Sequence, residues 1–308
     1  MAEQVKAYVP IEITDARFIS STIAEPDAAE PNWNTTTVFA QGDLASVITT
    51  DSHLVYESLQ ASNQNHPPAT SPTWWILKGF TNQRRMFDWK RGQKSTGTSP
   101  MIVSVRPGKR INAITLEGIR ASHASITVQD GIGGATVLTI DKSLLARHAV
   151  TPFQWCFGPW VYDKVLCTFE VPPVIDPVVT VTLTDSSGTC DLSRFATGLA
   201  VDLGEIEWDS SLEDENNSAV VRNEFNEAEF NPVPDIPILE SPIEIAANRI
   251  NLARQFKADS NGKVIIFSGM DSIDSFREMH TIVGFFRRFK LATKNHKLAK
   301  FDIRVEGL

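Results

Sequence analysis

Short segments that alternate apolar and polar positions dominate the first two thirds of the chain, and they predict β-strands rather than helices. The first such segment, residues 8–14, contains Pro10, which places the predicted strand at a sheet edge or at its own start. Similar runs, separated by turn residues, recur as far as residue 204. They cover residues 36–39, 45–49, 55–58, 74–78, 101–105, 113–117, 124–129, 135–140, 165–171, 178–184 and 198–204. Strands repeated at this spacing over residues 101–204 are typical of a β-sandwich or jelly roll.

The pattern changes after residue 205. A polar, acidic stretch at 208–217 reads as a loop, and residues 219–229 and 231–242 read as strand, loop and strand. Residues 243–257 carry apolar side chains at a helical period, and 272–281 predict a second helix with Asp271 or Ser272 as N-cap. Strands are predicted at 264–267, 284–293 and 298–305, the last two as a pair. This order predicts a small α+β domain.

A chain of 308 residues exceeds the size at which a single core stops growing, so we predict a multidomain, mainly β protein. The predicted parts are an N-terminal strand and linker at 1–32, a small β-module at 33–80, a β-sandwich at 81–204 and the α+β domain at 205–308.

Charge and composition exclude several classes of function. The net charge of −8 and the absence of a basic stripe argue against a nucleic-acid partner. No apolar run of about 18 residues spans a membrane, and the N-terminus lacks a secretory signal. Cys156, Cys167 and Cys190 are odd in number and lack CxxC spacing, which predicts buried or half-buried thiols in a reducing compartment.

No set of residues has the spacing of a catalytic or metal site. The six histidines (His53, His66, His123, His148, His280 and His296) show no ligand spacing and read as ordinary surface or packed residues. The glycines at 131–134 precede a strand, so they predict a hairpin rather than a phosphate loop. Cys156 has no partner set for catalysis, and the acidic residues at 205–215 read as a solvated loop or a calcium contact more readily than as a glycosidase pair. We therefore predict no enzyme, no cofactor and no metal.

The aromatic residues of the 33–80 module carry the main functional prediction. Trp33, Tyr56, Trp74 and Trp75 have the flat apolar faces that suit sugar rings, and Asn and Asp neighbours suit hydroxyl groups. The alternative is that they form the core of the module or pack against a neighbouring domain. Because successive side chains of a strand point to opposite faces, one of Trp74 and Trp75 should be buried and the other more exposed.

The order Trp33-Asn34, Phe39, Gly42-Asp43, Val55-Tyr56, Asn63, Pro67 and Trp74-Trp75 resembles the small chitin-binding modules found on chitinases. In this chain Phe39 stands where those modules usually carry Tyr, and the stretch between Asp43 and Tyr56 is longer. The resemblance implies a carbohydrate-binding type of fold with Trp33, Tyr56, Trp74 and Trp75 contacting a glycan or a partner.

A second resemblance extends over most of the chain. Residues 10–16, Glu25-Pro26, the aromatic module, residues 81–88 and the ending 285–303 are similar to structural proteins of tailed bacteriophage virions. It implies a tail, collar or baseplate component, located in the virion and made in the host cytoplasm, that assembles with other virion proteins as a homo-oligomer. It also implies a jelly-roll domain, and the β-sandwich predicted at 81–204 resembles galactose-binding-like jelly rolls in its strand content. A glycan-binding adhesion protein is the alternative, and an enzyme acting on a cell-surface polymer with acids from 205–215 is the third hypothesis.

Overall fold

The structure is a computed structural model, and it describes residues 3–50, 52–146, 150–222, 226, 228–233, 235–270, 274–293 and 297–308. Strands take 49% of the chain and helices 11%, which confirms the prediction of a mainly β protein with several antiparallel sheets. In chain order the strands are β1 Gln4–Tyr8, β2 Phe18–Ser21, β3 Leu44–Thr49, β4 Ser52–Ser58, β5 Trp75–Phe80, β6 Ser95–Thr98, β7 Met101–Val105, β8 Ala113–Glu117, β9 His123–Asp130, β10 Thr136–Ser143, β11 Leu145–Ala146, β12 Val161–Tyr162, β13 Val165–Thr168, β14 Pro177–Thr184, β15 Thr189–Leu192, β16 Arg194–Gly198, β17 Val201–Ile206, β18 Ser211–Glu215, β19 Ala219–Arg222, β20 Ala228–Asn231, β21 Ile236–Ala246, β22 Ile265–Ser268, β23 Thr281–Thr293 and β24 Leu298–Gly307. The helices are α1 Pro152–Phe157, α2 Ile250–Asp259 and α3 Asp274–His280.

The chain forms two compact units. Unit 1 comprises the described residues of 1–10, 167–169 and 198–308, and unit 2 comprises those of 11–166 and 170–197.

Six strands of unit 1 close into a ring of antiparallel pairs. The order is β17, β1, β22, β23, β24 and β21, and β21 pairs again with β17. β21 is long enough to pair with two strands along one edge: its first half pairs with β18 and its second half with β17. The closed ring leaves none of these six strands as a free edge over its paired residues.

A glycine lies where the ring closes. Gly204 has φ +122°, and a Cβ at this position would lie 2.4 Å from the carbonyl oxygen of Glu244 in β21. The next residue, Glu205, pairs with Glu244. Only glycine combines this backbone conformation with so close an approach, so Gly204 allows β17 to reach β21.

The ring encloses its own hydrophobic core. Along β24 the buried residues Ala299, Phe301, Ile303 and Val305 alternate with partly exposed ones, which is the period-2 pattern of a strand with one covered face. α2 adds Ala253 and Phe256 to the same core.

Two sheets of unit 2 share a second core. One has the strand order β10-β9-β14-β7-β2 and the other β13-β8-β16. Val103, Ile126 and Val181 come from the first sheet, while Leu116 and Phe195 come from the second. A three-stranded antiparallel sheet, β3-β4-β5, forms the small module.

Near the N-terminus, two predicted strands are wrong. The first strand is Gln4–Tyr8 rather than 8–14, and it is not an edge, because β1 pairs with both β17 and β22. Residues 36–39 form no strand, since the Asn34 side chain accepts hydrogen bonds from the backbone N–H groups of Thr36 and Thr37 and so holds a turn. The strands predicted at 45–49, 55–58 and 74–78 are confirmed within a few residues.

The C-terminal predictions need three corrections. The helix predicted at 243–257 starts only at Ile250, because β21 continues to Ala246. The acidic stretch read as a loop contains β18, Ser211–Glu215, paired with β21. The strands predicted at 219–229 and 231–242 are a short hairpin, β19 with β20, followed by β21. The second predicted helix is observed as α3, Asp274–His280, and its predicted caps Asp271 and Ser272 lie outside the described residues.

Candidate functional site

The predicted aromatic residues gather around one small core in the module. Trp75 is buried there with Phe39 and Ala45, and the Phe39 and Trp75 rings meet edge to face at 5.1 Å. Trp33, Tyr56 and Trp74 pack against this core and remain partly exposed.

The two adjacent tryptophans differ as predicted, since Trp75 is 3% exposed and Trp74 is more exposed. The Trp75 indole N–H donates to the carbonyl oxygen of His66 at 2.8 Å. Trp74 stacks on the His66 ring, with centroids 3.9 Å apart and planes within 10°. One face of Trp74 is therefore covered inside the module, and its other face is the one left to meet a ligand.

Sequence reasoning missed a cluster of ionisable side chains beside this module. His53, on β4, faces a carboxylate with each ring nitrogen: Nε2 lies 2.9 Å from Asp15 Oδ1, and Nδ1 lies 2.9 Å from Glu25 Oε1. The His53 side chain is only 12% exposed. A neutral imidazole has one N–H and can donate to one of the two carboxylates only, whereas an imidazolium donates to both.

Arg84 completes the cluster from the segment that follows β5. Its Nη2 donates to Asp15 Oδ1 at 2.7 Å, and its guanidinium lies 3.9 Å from the centre of the Phe18 ring. Burial lowers the pKa of Arg84, while the charges of Asp15 and Glu25 act in the opposite direction. Arg84 Nε is buried without a hydrogen-bond partner among the described residues. The guanidinium is thus desolvated and only partly satisfied.

Carboxylate side chains also hold residues 24–32 in place. These residues belong to the predicted N-terminal strand and linker at 1–32. Glu30 is buried, accepts from the backbone N–H of Asn82 at 3.1 Å, and pairs with Arg85. Asp27 accepts from the Asn82 side chain at 2.8 Å. These contacts hold the segment against residues 81–85.

A cavity of about 310 Å³ opens beside the cluster, and we call it the Arg84 cavity. Its lining comes from residues 11–15, Thr50, His53, Phe195 and four residues of the 80–89 segment, namely Phe80, Arg84, Phe87 and Trp89. Of its lining residues, Glu12, Thr14, Thr50 and Phe80 are exposed, whereas Arg84 and Phe195 are buried. Phe80, Phe87 and Trp89 present aromatic rings in it.

The exposed segment around α1 is the second feature that sequence reasoning missed. Thr151 caps α1 with a capping box through Gln154, so the local sequence defines a short helix. None of its residues is buried. The large apolar side chains are strongly exposed at Phe153 (72%), Trp155 (68%), Phe157 (75%) and Trp160 (55%), and we call residues 150–161 the aromatic loop.

The thiols depart from the predicted burial. Cys190 is buried and Cys167 is half-buried, but Cys156 is exposed in the aromatic loop, so the prediction is wrong for Cys156. None of the three forms a disulfide.

Most of the acidic residues of 205–215 are exposed, and Glu205, Glu213, Asp214 and Glu215 lie on strands rather than in a loop. Lys300 Nζ donates to Glu207 Oε2 at 2.6 Å, and this hydrogen bond raises the pKa of Lys300. Glu213 and Asp214 lie on β18 opposite Ile238 and Pro237 of β21.

The glycines at 131–134 join β9 to β10, which confirms the hairpin prediction. Three histidines are packed or on the surface, as predicted: His66 stacks on Trp74, His123 pairs with Asp141, and His280 is buried. His148 and His296 lie outside the described residues.

Over the described ranges, no three ligating side chains are grouped so as to hold a metal ion. In the same part of the chain, no helix has the length and apolar character needed to cross a membrane.

Comparison with known proteins gives no relative for this chain. No family model, no curated protein and no solved structure matches it.

Proposed function

We propose that this chain is a structural subunit that assembles through protein–protein contacts into a symmetric oligomer. The observation that carries the proposal is the aromatic loop. Large apolar side chains are normally buried, yet α1 carries Phe153, Trp155 and Phe157 and buries none of its residues. We infer that these side chains are buried against another molecule.

The size of the exposed apolar surface fits a subunit contact. Four aromatic side chains that are more than half exposed present roughly 500 Å² of accessible area, since each can bury about 150–250 Å². Standard interfaces bury about 800 Å² on each partner, and isolated monomers rarely expose apolar patches larger than a few hundred Å². The loop thus supplies most of one interface, and its aromatic residues are the type enriched at interface centres.

Unit 1 carries a second exposed apolar element. The β19–β20 hairpin exposes Val220, Val221 and Phe230. Val220 and Phe230 are opposite each other in register, so they share one face of the hairpin. Two apolar elements on one chain suit a subunit with more than one neighbour, as a ring requires.

The test compares the native chain with a variant carrying Phe153→Ser and Phe157→Ser, by analytical ultracentrifugation at several concentrations. The expected result is a concentration-dependent oligomer that the double substitution shifts to monomer. Ile175→Ser is the matched control, because Ile175 is 89% exposed in the same unit but lies outside the aromatic loop. A native chain that stays monomeric at high concentration, or an oligomer that withstands the double substitution, overturns the proposal.

Cys156 gives a second readout of the same contact. Its thiol is exposed in the isolated chain, whereas Cys190 is buried. Thiol-reactive labelling should modify Cys156 in the monomeric variant and leave it protected in the oligomer. Equal labelling of Cys156 in both forms would show that the aromatic loop stays open to solvent.

We propose the tail region of a tailed bacteriophage particle as the setting of this assembly. The support is the resemblance of residues 10–16, 81–88 and 285–303 to virion structural proteins. On this proposal the chain combines a chitin-binding-like module, a galactose-binding-like jelly roll and a C-terminal α+β domain. Mass spectrometry of purified particles from the source phage should find the chain at a fixed copy number, and its absence from intact particles would refute the setting.

Glycan binding by the module is the second candidate function. The observation that favours it is the partial exposure of Trp33, Tyr56 and Trp74 around a single core. Titration with chito-oligosaccharides should change tryptophan fluorescence in the native chain and not in Trp74→Ala. If no chito-oligosaccharide changes the tryptophan fluorescence of the native chain, glycan binding by the module is ruled out.

A further inference from the structure

We propose that the Arg84 cavity binds a small organic cation with methyl groups on its nitrogen, that is, a quaternary ammonium ion. This site is separate from the surface formed by Trp33, Tyr56 and Trp74, and the inference does not rest on the assembly proposal. The argument depends on three properties of the cavity: its aromatic walls, its excess of carboxylates and the local pairing of Arg84.

Three aromatic side chains line the cavity and keep part of their surface open. Phe80 is 38% exposed, and Phe87 and Trp89 are half-buried. Among the described residues, no ring packs on Phe80 or Trp89 and no arginine or lysine lies over either of them. Aromatic faces attract a cation within about 6 Å of the ring centre, and tryptophan attracts it most strongly. The walls therefore suit a cation with an apolar surface, which methyl groups on nitrogen provide.

Carboxylates outnumber basic groups around the cavity. Glu12 and Asp15 line it, and Glu25 lies 2.9 Å from His53 Nδ1 in its wall. The basic side chains of the lining are His53 and Arg84. Even with His53 charged, three carboxylates face two positive groups, so a cation that enters gains Coulomb energy and an anion loses it.

Glu12 is the carboxylate that can pair with a bound cation. Its side chain is exposed and has no hydrogen-bond or ion-pair partner among the described residues. Arg17 is nearby, but its Nη1 donates to the backbone carbonyl oxygen of Glu12 at 2.7 Å, and Arg17 does not line the cavity. The Glu12 side chain therefore keeps its charge available to a ligand.

The positive charge of Arg84 is compensated where it lies. Its Nη2 donates to Asp15 Oδ1 at 2.7 Å, its guanidinium lies 3.9 Å from the centre of the Phe18 ring, and its side chain is only 9% exposed. Arg84 therefore opposes a bound cation less than an open, unpaired guanidinium would.

The same pairing favours a methylated cation over a primary ammonium ion. Asp15 already accepts from Arg84 and faces His53, so it has little capacity for a new donor. A primary ammonium brings three N–H donors that need acceptors, whereas a quaternary nitrogen brings none. A volume of about 310 Å³ lies at the lower end of ligand pockets and fits one such ion.

The experiment titrates the full chain with choline and with 3,3-dimethylbutan-1-ol, which has the same shape but carbon in place of the charged nitrogen. Saturation-transfer NMR on the methyl resonances detects contact, and titration calorimetry gives the dissociation constant. We expect saturable binding of choline, with the neutral analogue and the primary amine ethanolamine at least about tenfold weaker. Added salt should weaken choline more than the neutral analogue, because it screens the carboxylates.

Two substitutions locate the binding in this cavity. Phe80→Leu keeps an apolar side chain and removes the ring, so choline should bind about threefold to thirtyfold more weakly. Glu12→Gln keeps the shape and removes the charge, so choline should bind about twofold to fivefold more weakly. Both residues are exposed, so thermal unfolding should stay close to that of the native chain.

Matched controls come from unit 1. Glu213→Gln makes the same charge change at an exposed position on β18, and Trp208→Leu removes a ring that is 69% exposed. Neither residue lines the cavity, so both variants should bind choline as the native chain does. Loss of binding in either control, with retention in Phe80→Leu and Glu12→Gln, would place the cation elsewhere and overturn the proposal.

Phosphocholine tests whether the ammonium ion is free or part of a phospholipid headgroup. We expect phosphocholine to bind more weakly than choline, because its phosphate adds negative charge beside carboxylates. Tighter binding of phosphocholine would identify a headgroup site and refute the free cation as the ligand.

The proposal fails if choline shows no saturable binding at concentrations up to about 50 mM, a range that includes weak ligands of this size. Equal affinity for choline and its neutral analogue would show that the cavity selects shape and not charge. Tighter binding of ethanolamine than of choline would identify a hydrogen-bonding ammonium site. Each of these results refutes the assignment of a methylated cation.

Discussion

The ion cluster of Asp15, His53 and Arg84 makes a quantitative prediction about stability. Asp15→Asn keeps the shape of the side chain and removes its charge, so Arg84 keeps its buried position and loses its closest counter-charge. Breaking a buried ion pair from one side costs about 3–5 kcal/mol. The Asp15 side chain is 32% exposed and Glu25 still acts on Arg84, both of which reduce the cost. We expect the free energy of unfolding of unit 2 to fall by about 2 kcal/mol.

The assay is native-state hydrogen exchange, because it separates the two units within one sample. The amides of β4 report on unit 2 and those of β24 on unit 1. A loss of about 2 kcal/mol should speed exchange of the most protected β4 amides roughly thirtyfold and lower the midpoint of thermal unfolding by about 4–8 °C. The β24 amides should exchange at the native rate.

A double-mutant cycle decides whether the cost comes from the pair. In an Arg84→Met background, Asp15→Asn should cost at least about 1 kcal/mol less than in the native chain, because no buried charge is left behind. Asp176→Asn is the matched control: it breaks the surface pair with Arg106 and should cost less than about 1 kcal/mol. Equal costs of Asp15→Asn in the native and Arg84→Met backgrounds would refute the reasoning.

Three further predictions concern other parts of the chain. Burial holds the pKa of His280 below its ordinary value, so the ring binds a proton more readily after unfolding. The free energy of unfolding of unit 1 should therefore be full above pH about 6.5 and decline below it, by at most about 1.4 kcal/mol per pH unit. If the His280→Leu variant showed the same dependence of unfolding free energy on pH as the native chain, this prediction would be contradicted. Gly284→Ala places a Cβ 1.9 Å from the carbonyl oxygen of Glu306 in the paired strand. Urea unfolding should therefore show unit 1 destabilised by about 2 kcal/mol or more. An unchanged free energy of unfolding would show that β23 and β24 can separate locally. Trp75→Ala should lower the free energy of unfolding by about 3–5 kcal/mol and Trp74→Ala by clearly less, because only Trp75 is fully in the core. Equal losses of stability in the two variants, measured by calorimetry, would contradict that difference.

The sequence predicts the strands of unit 2 well where one face of a strand is covered and the other is open. β7 and β9 are observed to within one residue of the predicted bounds, because alternation along the chain reports directly on burial there. β18 escaped prediction for the opposite reason. Its residues Ser211–Glu215 are almost all exposed, so its pairing with β21 depends on backbone hydrogen bonds that no side-chain pattern records.

The helix predicted at 243–257 shows how two periods can coincide. Ile243 and Ile245 are buried because they alternate along β21, while Ala253 and Phe256 are buried because they lie on one side of α2. Taken as one window, Ile243, Ala246, Ile250, Ala253 and Phe256 match a helical repeat. The chain forms a strand rather than a helix up to Ala246, because β24 and β17 pair with β21 there. These partner strands are distant in sequence.

The candidate site was harder to predict than the fold, since its residues come from separate segments. Asp15 and His53 are 38 positions apart, and Asp15 and Arg84 are 69 apart. Residues 81–89 gave the only local signal, in that they mix charges with large apolar side chains more densely than a surface segment needs. Pairing of Arg84 with Asp15 and of Arg85 with Glu30 depends on tertiary structure.

The closed ring of unit 1 brings together strands that are far apart in the chain. β1 lies between β17 and β22, so residues 4–8 pair with strands about 200 or more positions later in the chain. Such long-range pairing forms late, because the loop must close before the contact contributes. Until β1 inserts, β17 and β22 each present an unpaired edge, and an unpaired edge is a template for pairing with another chain. Insertion of β1 removes both edges; on the proposal that the chain assembles, association then depends on exposed side chains such as those of the aromatic loop rather than on open strand edges at this position.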